Sequence, residues 1–396
     1  MKLTFSLFFI LFINFGYAQN IKKIIDKNDI NALQKYIDNN ETIYPEIHFH
    51  TEDYEISPLV YAARKERIAI LKILINNKNK FDTFNFDLSL AFAESVITKN
   101  DELITYLYNL NPNINEIVPY YNDKNAIMLC ANYGNEKWYF KLKKLAILTL
   151  TDKYSNNLLH ITINSVNFNN KIFNDVVNIK SLDINEVNYF NRTPLQTAIK
   201  VGNYSAFKII LNKGGEQKNV EQKHIDQLYV DAIYGGNINI YNYVLKFVKE
   251  FYLWSEYDLL DEEDNYNSYY PLEIALRYNK TEIASQIINK MFDKANEKDS
   301  SYEQEIFVEI LNSRKMYDDT FWPLHETIAN KNKVLFELLL RKIVAFNNTS
   351  TVLNKSNDNY DQREKIIFTK FEYRSAKRKF GKDYVEQLYN ELKISF

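Results

Sequence analysis

The sequence is short of the residues that staple a fold or supply chemistry: one cysteine, Cys130, stands among 396 residues, with eight glycines and seven prolines. A single thiol excludes an internal disulfide in any redox compartment, so packing alone must stabilise the chain. Scarce Gly and Pro beside abundant Tyr, Phe, Ile, Lys and Asn reflect the codons of an AT-rich genome, which removes aromatic and Asn richness as functional clues. Charge of one sign is also lacking. Lys plus Arg is 49 and Asp plus Glu is 51, a formal net charge of -2, so no global field draws in nucleic acid or an anionic membrane. There is no G-x-S-x-G, H-E-x-x-H, Walker A or G-x-G-x-x-G, and no Cys/His group at zinc spacing. No active site and no cofactor are therefore expected.

At 396 residues the chain exceeds the size at which one core stops growing, so several domains or a repeat array are expected. Lys2, the apolar stretch Leu3 to Phe15 and the small residues Gly16-Tyr17-Ala18 read as a signal peptide over residues 1–18, cleaved before Gln19. The apolar run falls short of the ~20 residues a membrane span requires. No stable anchor is expected after cleavage, and the chain is expected in the periplasm or outside the cell.

Self-similarity organises the rest. The clearest unit is Asn191-Arg192-Thr193-Pro194-Leu195-Gln196-Thr197-Ala198-Ile199, followed by Gly202-Asn203 and the apolar residues Ala206, Phe207, Ile209, Ile210 and Leu211. With Leu195 as its anchor, related units anchor at Leu59, Phe92, Ile127, Leu159, Tyr229, Leu272 and Leu324, with a divergent first unit at Ile21. From Leu59 to Tyr229 the anchors lie 33, 35, 32, 36 and 34 residues apart; the last two steps, 43 and 52, contain insertions.

The slots within a unit have physical meaning. Three past the anchor the side chain is mostly small (Ala62, Ser95, Cys130, Thr162, Ala198, Ala232, Ala275, Thr327), as close helix approach requires. Four past it the residue is apolar in every unit, from Ile25 to Ile328, which buries one face of a short inner helix. Seven or eight past it stands Gly134, Gly202, Gly236, Asn28, Asn100, Asn167, Asn279 or Asn332, read as left-handed turn residues; the Leu59 unit has Glu66. A second helix follows with a core residue fifteen past the anchor: Tyr36, Leu74, Leu107, Leu142, Ile210, Val244, Ile287 or Leu339. The Leu159 unit slips there, at Asn169-Asn170.

The Leu195 unit closely resembles the ankyrin repeat, whose period is about 33 residues. Pieces of that family's T-P-L-H-x-A opening recur in register as Ser57-Pro58-Leu59, Leu158-Leu159-His160, Tyr270-Pro271-Leu272 and Trp322-Pro323-Leu324-His325. Asn113-Ile114-Asn115 and Leu182-Asp183-Ile184-Asn185 resemble its A-D-V-N segment, which leads into a β-hairpin. The resemblance, to a secreted bacterial member, implies an all-α solenoid of nine helix-turn-helix units with short β-hairpin loops over residues 19–345. It implies binding of another protein through the concave face and hairpin tips, by a monomer without nucleic acid. Exposed inner-helix positions give the partner-binding candidates Arg64, Tyr133, Lys200, Tyr234 and Tyr278, and His160 and His325 take the family's structural His slot.

Insertions at 251–269, with the acidic Asp261-Glu262-Glu263-Asp264, and at 293–321 interrupt the period. The acidic run lacks the Gly and terminal Glu of a calcium loop and reads as a solvated loop. An extra helix is expected around Glu303 to Lys315. Residues 346–396 read as a polar linker, Asn347 to Thr351, and a helical cap with the stripe Tyr384, Val385, Leu388, Tyr389, Leu392. Two alternatives stay open. The basic cluster Lys370, Arg374, Lys377, Arg378, Lys379 and Lys382 could meet an acidic partner or a membrane surface. His48 and His50, on one side of a strand, could hold a metal with Glu46 or Glu52 in a metal-binding or enzymatic protein.

Overall fold

The computed structural model describes residues 21–43, 47–49, 52–215, 222–248, 253, 257–260, 266–297, 301–312, 322–349 and 370–394. The expected signal peptide, His50 and the run Asp261 to Asp264 lie outside them. The chain is all-α in class; among the described residues strands form only two two-stranded hairpins. Two compact units are present, Met1–Thr197 with Lys213–Gly215, and Ala198–Asn212 with Glu216–Phe396.

The first unit holds α1 (residues 21–27), α2 (Ile30–Asp38), the hairpin β1 (Ile47–Phe49) and β2 (Glu52–Ile56), α3 (Pro58–Arg64), α4 (Ile68–Asn76), α5 (Phe84–Thr98), α6 (Asp101–Tyr108), α7 (Ala126–Tyr133), α8 (Glu136–Leu142), α9 (Leu158–Ile163) and α10 (Asn170–Val176). α11 (Pro194–Lys200) crosses the boundary. Some of the short helices start on a side-chain cap: Ser57 Oγ accepts the Val60 amide at 3.3 Å and Asn125 Oδ1 accepts that of Met128 at 3.1 Å. Helices α3, α5, α7 and α9 pack on one another in chain order, and each packs on the helix that follows it.

The second unit holds α12 (Tyr204–Asn212), α13 (Gln222–Gly235), α14 (Ile238–Val244), β3 (Tyr257–Leu260), β4 (Tyr266–Tyr269), α15 (Pro271–Arg277), α16 (Thr281–Ala295), α17 (Ser301–Asn312), α18 (Pro323–Ala329), α19 (Lys333–Thr349), α20 (Lys370–Phe380) and α21 (Lys382–Glu391). Here α13, α15, α18 and α20 pack in chain order, and α12, α14, α16 and α19 do the same beside them.

Burial follows the periodic slots. The small residues three past the anchors are at most 1% exposed and the apolar residues four past them at most 2%. Fully burying such a Leu, Ile or Val side chain contributes about 1.5–3 kcal/mol. Fifteen past the anchor, Leu74, Leu107, Leu142, Ile210, Val244, Ile287 and Leu339 are buried, whereas Tyr36 is only half-buried and Ile37 takes the core place. In the Leu159 unit Phe173 and Val176 fill the core.

The turn between paired helices is the most regular feature. Seven past the anchor the backbone is left-handed in eight units: Asn28, Glu66, Lys99, Gly134, Gly202, Gly236, Asn279 and Lys331 have φ between 54° and 76°. In six units the next amide donates back to the carbonyl three past the anchor: Asp29 to Ile24 (3.0 Å), Arg67 to Ala62 (2.9 Å), Asn135 to Cys130 (2.8 Å), Asn203 to Ala198 (3.0 Å), Lys280 to Ala275 (2.8 Å) and Asn332 to Thr327 (2.8 Å). This is the six-to-one bond of a Schellman motif, which satisfies an orphan carbonyl at a helix end.

The sequence reading of the Asn residues needs correction here. Asn100 and Asn332 are not left-handed. Lys99 and Lys331 take that conformation, and the asparagines cap the next helix, accepting the Leu103 amide at 3.2 Å and the Leu335 amide at 3.0 Å. Asn167 is not left-handed either, because the Leu159 unit, with its lengthened turn, has no positive-φ residue between its two helices. Glu66, which broke the pattern by type, keeps it in conformation. The bond from Arg67 to Ala62 offsets the ~1–2 kcal/mol that a side chain loses in left-handed backbone.

Other expectations shift as well. The segments resembling A-D-V-N lead into turns, not strands. Asn113 Oδ1 accepts the Asn115 amide (3.1 Å), Asp183 Oδ1 accepts that of Asn185 (2.9 Å), and the loop after the first keeps one bridge, Val118 to Lys124. The 251–269 insertion contains an antiparallel hairpin, Tyr257 opposite Tyr269 and Leu260 opposite Tyr266, packed on α13. The extra helix is α17. α19 runs past Ala345 through Asn347 and Asn348, because Phe346 is buried against Phe307 at 5.0 Å and holds the last turn. The tail packs on α18–α19: Phe380 meets Phe336 at 5.1 Å, Tyr384 Oη donates to Glu337 at 2.7 Å, and Arg341 bridges Glu337 and Glu391 at 2.8 Å each.

Gly202 shows how tightly the turns approach. A Cβ there would stand 2.2 Å from the Gly235 carbonyl oxygen, at φ +69°. Gly202→Ala is expected to destabilise the chain by about 2–4 kcal/mol, by strain and overpacking together. Urea unfolding showing a loss under 1 kcal/mol would contradict this close approach.

Candidate interaction surface

The loops before α7, α9 and α11 all lie in the first unit, and each ends in an aromatic tip. Two of them are built alike. Asp152 Oδ1 accepts the amides of Tyr154 (3.0 Å) and Asn156 (2.9 Å); Asn188 Oδ1 accepts those of Phe190 (3.1 Å) and Arg192 (3.0 Å). Backbone bonds close the same turns: Ser155 to Asp152 O (2.9 Å) and Asn191 to Asn188 O (2.9 Å), with Ser155 and Asn191 both at φ 56°. Neighbouring tips are then stitched together, Lys153 N to Asn122 O at 3.0 Å and Tyr189 N to Tyr154 O at 2.8 Å. The loop before α7 is a longer version, with Pro119–Tyr121 in a 3-10 turn.

Rings line these tips. Tyr120 and Tyr121 lie 5.1 Å apart, Tyr154 and Phe190 5.6 Å, Tyr189 and Phe190 5.4 Å. Tyr189 is 75% exposed; Tyr120, Tyr121, Tyr154 and Phe190 are half-buried. Cations sit over the ring faces: Arg64 5.4 Å from Tyr120, Lys153 4.7 Å from Tyr154 and Arg192 5.9 Å from Phe190.

Beneath the Tyr120–Tyr121 tip lies a buried ion pair. Glu94 on α5 is 2% exposed and accepts from Arg64 Nη2 at 2.7 Å and Nε at 3.1 Å, while Tyr121 Oη donates to its other oxygen at 3.2 Å. Burial raises the Glu94 carboxyl above its ordinary value, opposed by the bond and charge of Arg64. Burial, and then the charge of Glu94, hold the Tyr120, Tyr121 and Tyr133 hydroxyls above the ordinary tyrosine value. Lys124 and the buried Asp152 form a second pair at 3.0 Å.

The sequence candidates fall in both units. In the first, Arg64 is engaged by Glu94 and Tyr133 stands within reach of that carboxylate's charge. In the second, Tyr234 on α13 and Tyr278 after α15 meet edge to face at 4.6 Å, 37% and 43% exposed, and Lys200 is half-buried at the end of α11. Glu94, Tyr120, Tyr121, Tyr154, Tyr189 and Phe190 escaped sequence reasoning. Their signal was spacing: Tyr154 and Phe190 each stand five residues before their anchors, and Tyr121 six before its own.

His160 is 1% exposed; its Nε2 meets the Arg192 carbonyl at 2.9 Å and its Nδ1 lies 2.8 Å from Asn157 Oδ1, so it ties one loop to the next. His325 differs. Its Nδ1 is buried with no hydrogen-bond partner among the described residues, and its ring stacks on Phe371 at 5.7 Å. Cys130 is fully buried, which pushes its thiol up and out of the reactive range. Among the described residues no group of three His, Cys, Asp or Glu could hold a metal, and no helix is long and apolar enough to cross a membrane. His48 lies on β1, opposite Glu55.

No protein-family model matches the sequence, and no curated protein matches it.

Two predictions test this geometry. Arg64→Met leaves a buried carboxylate without its partner and is expected to cost about 3 kcal/mol, most of it recovered in Arg64→Met with Glu94→Gln. Equal losses for the single and double variants in urea unfolding would show that the pair is not coupled. The second concerns His160, whose burial lowers its folded-state pKa below the ordinary 6.5. Below about pH 6.5 the unfolded chain takes up a proton that the folded chain refuses, so stability falls with acidification through the window under 6.5. The melting temperature is expected to drop from pH 7 toward about pH 5.5 in the parent and to change less in His160→Gln; parallel curves would refute the assignment.

Proposed function

We propose that the chain is an ankyrin-repeat scaffold, exported and monomeric, that binds another protein through its inner-helix face and loop tips. The observation that carries the reading is the set of aromatic tips Tyr120, Tyr121, Tyr154, Tyr189 and Phe190, the last three on turns fixed by side-chain hydrogen bonds. Tyrosine combines a large apolar ring with a polar tip and loses little rotamer entropy on contact, which suits it to protein interfaces. Support for the repeat architecture comes from the left-handed residue seven past the anchor and its recurring back-bond.

Charge argues for a protein over a polyanion. The two cations nearest the first tip, Arg64 and Lys124, are each matched by a buried carboxylate. The basic tail is a weaker alternative, since Lys377 is paired with Glu386 and α20 packs against α18.

Crosslinking of the full chain in envelope fractions is the test. The parent is expected to give a saturable protein adduct that Tyr154→Ala with Tyr189→Ala reduces by about tenfold or more, at unchanged melting temperature. An adduct insensitive to those substitutions, or no adduct, would remove the tips as the binding element.

A further inference from the structure

The second unit carries a charged surface that the loop tips do not use. Helix α20 holds five cations against one carboxylate, Glu372, a local excess hidden by the chain's net charge of -2. Glu372 is only 7% exposed and its charge acts on Tyr389 of α21, which places it on the packed side of the helix. Lys377 is held by Glu386. The other four cations, Lys370, Arg374, Arg378 and Lys379, are exposed, as is Lys382 at the start of α21, and none of these five has an ion-pair partner among the described residues. Lys370, Arg374 and Arg378 follow at four-residue steps, which sets them on one face of the helix over ~12 Å.

Packing explains why this face points outward. α20 buries Ser375 and Ala376, sets Phe380 against Phe336 of α19 and lays Phe371 on the His325 ring of α18 at 5.7 Å. Phe371 stays 51% exposed all the same, between Lys370 and Arg374. α19 adds a further cation: Lys333 stands 3.5 Å over the Tyr384 ring, and its neighbour Val334 is 65% exposed.

Unpaired cations on three helices call for an anionic partner. An acidic peptide is held in register by a well-packed apolar or aromatic centre, and the apolar side of α20 already packs on α18 and α21. A headgroup layer needs no register. It attracts cations spread over a surface, each adding its own share, and takes exposed side chains such as Phe371 and Val334 at its apolar boundary. We propose that the outward face of α20, with the starts of α19 and α21, binds the surface of an anionic bilayer. The contact is peripheral and independent of the tip-binding role.

Vesicle co-sedimentation of the chain from Gln19, without the apolar stretch Leu3 to Phe15, is the test. Saturable binding is expected to mixed phosphatidylcholine–phosphatidylglycerol vesicles and not to phosphatidylcholine alone, falling steeply as salt is raised. Arg374→Gln with Arg378→Gln is expected to weaken it about tenfold or more at unchanged melting temperature, whereas Lys137→Gln with Lys171→Gln, which removes equal charge from the first unit, changes it by less than about twofold. Equal binding to neutral vesicles, no binding, salt-insensitive binding, or equal loss in the two charge variants would overturn the proposal. A labelled oligoglutamate that binds more tightly than the vesicles at equal negative charge, and is lost in the arginine variant, would assign the face to an acidic peptide instead. The vesicles carry no protein, so failure here leaves the tip-binding role standing.

Discussion

A helix of seven or eight residues leaves most of its terminal amides and carbonyls without internal partners, so α3, α7 and α15 depend on how their ends are closed. The hydrogen bond from the residue eight past the anchor to the carbonyl three past it is the device at one of them. It closes the end of the inner helix, fixes the left-handed residue between, and delivers the next residue as cap for the outer helix. In five of the six units with this bond the carbonyl it uses belongs to the small, buried residue that lets a neighbouring helix approach; in the first it belongs to Ile24. One residue thus serves the turn with its backbone and the packing with its side chain. Substituting its side chain disturbs contacts between helices more than the turn.

Between pairs, polar ties recur at roughly the repeat spacing. Trp138 Nε1 donates to Asp101 at 3.0 Å, Tyr139 Oη to Asp175 at 2.8 Å, and Asn135 Nδ2 to the Val96 carbonyl at 2.8 Å, each joining residues 36 to 39 apart. Buried polar groups fix orientation more than they add stability, because their desolvation offsets much of their attraction. Their role is to set how far one helix pair is rotated on the next. Nearest-neighbour coupling of this kind lets an insertion such as the β3–β4 hairpin emerge without disturbing the pairs on either side.

Much of the helical framework was legible in the sequence because its slots obey simple sterics. A small residue three past the anchor and an apolar one four past it admit few alternatives, and all of those positions are buried. Conformation at the turn was less legible. Asn serves equally as a left-handed residue and as a helix cap, and type alone does not distinguish Asn279, which is left-handed, from Asn100, which caps. Lys99 and Lys331 are left-handed against preference, because the turn is imposed by the two helices it joins. The hairpin at Tyr257–Tyr269 was missed since short Tyr-rich strands carry little periodicity, and the tip rings were set aside with aromatic richness in general. Composition explains why tyrosines are many; it does not explain why Tyr154 and Phe190 stand at the same place before their anchors.

That register has a physical consequence for recognition. Tip positions contribute little to the core, so their side chains are free to vary, yet their backbones are fixed by Asp152 and Asn188 as firmly as a helix end. A ring held on such a turn has few rotors left to lose when a partner covers it, and ordering each rotamer-rich side chain at an interface costs about 0.5–1.5 kcal/mol. The acids that neutralise Arg64 and Lys124 also remove long-range attraction for polyanions. Rigid turns and matched charges therefore act in one direction: on the proposed role, they favour recognition through ring contact over recognition through charge.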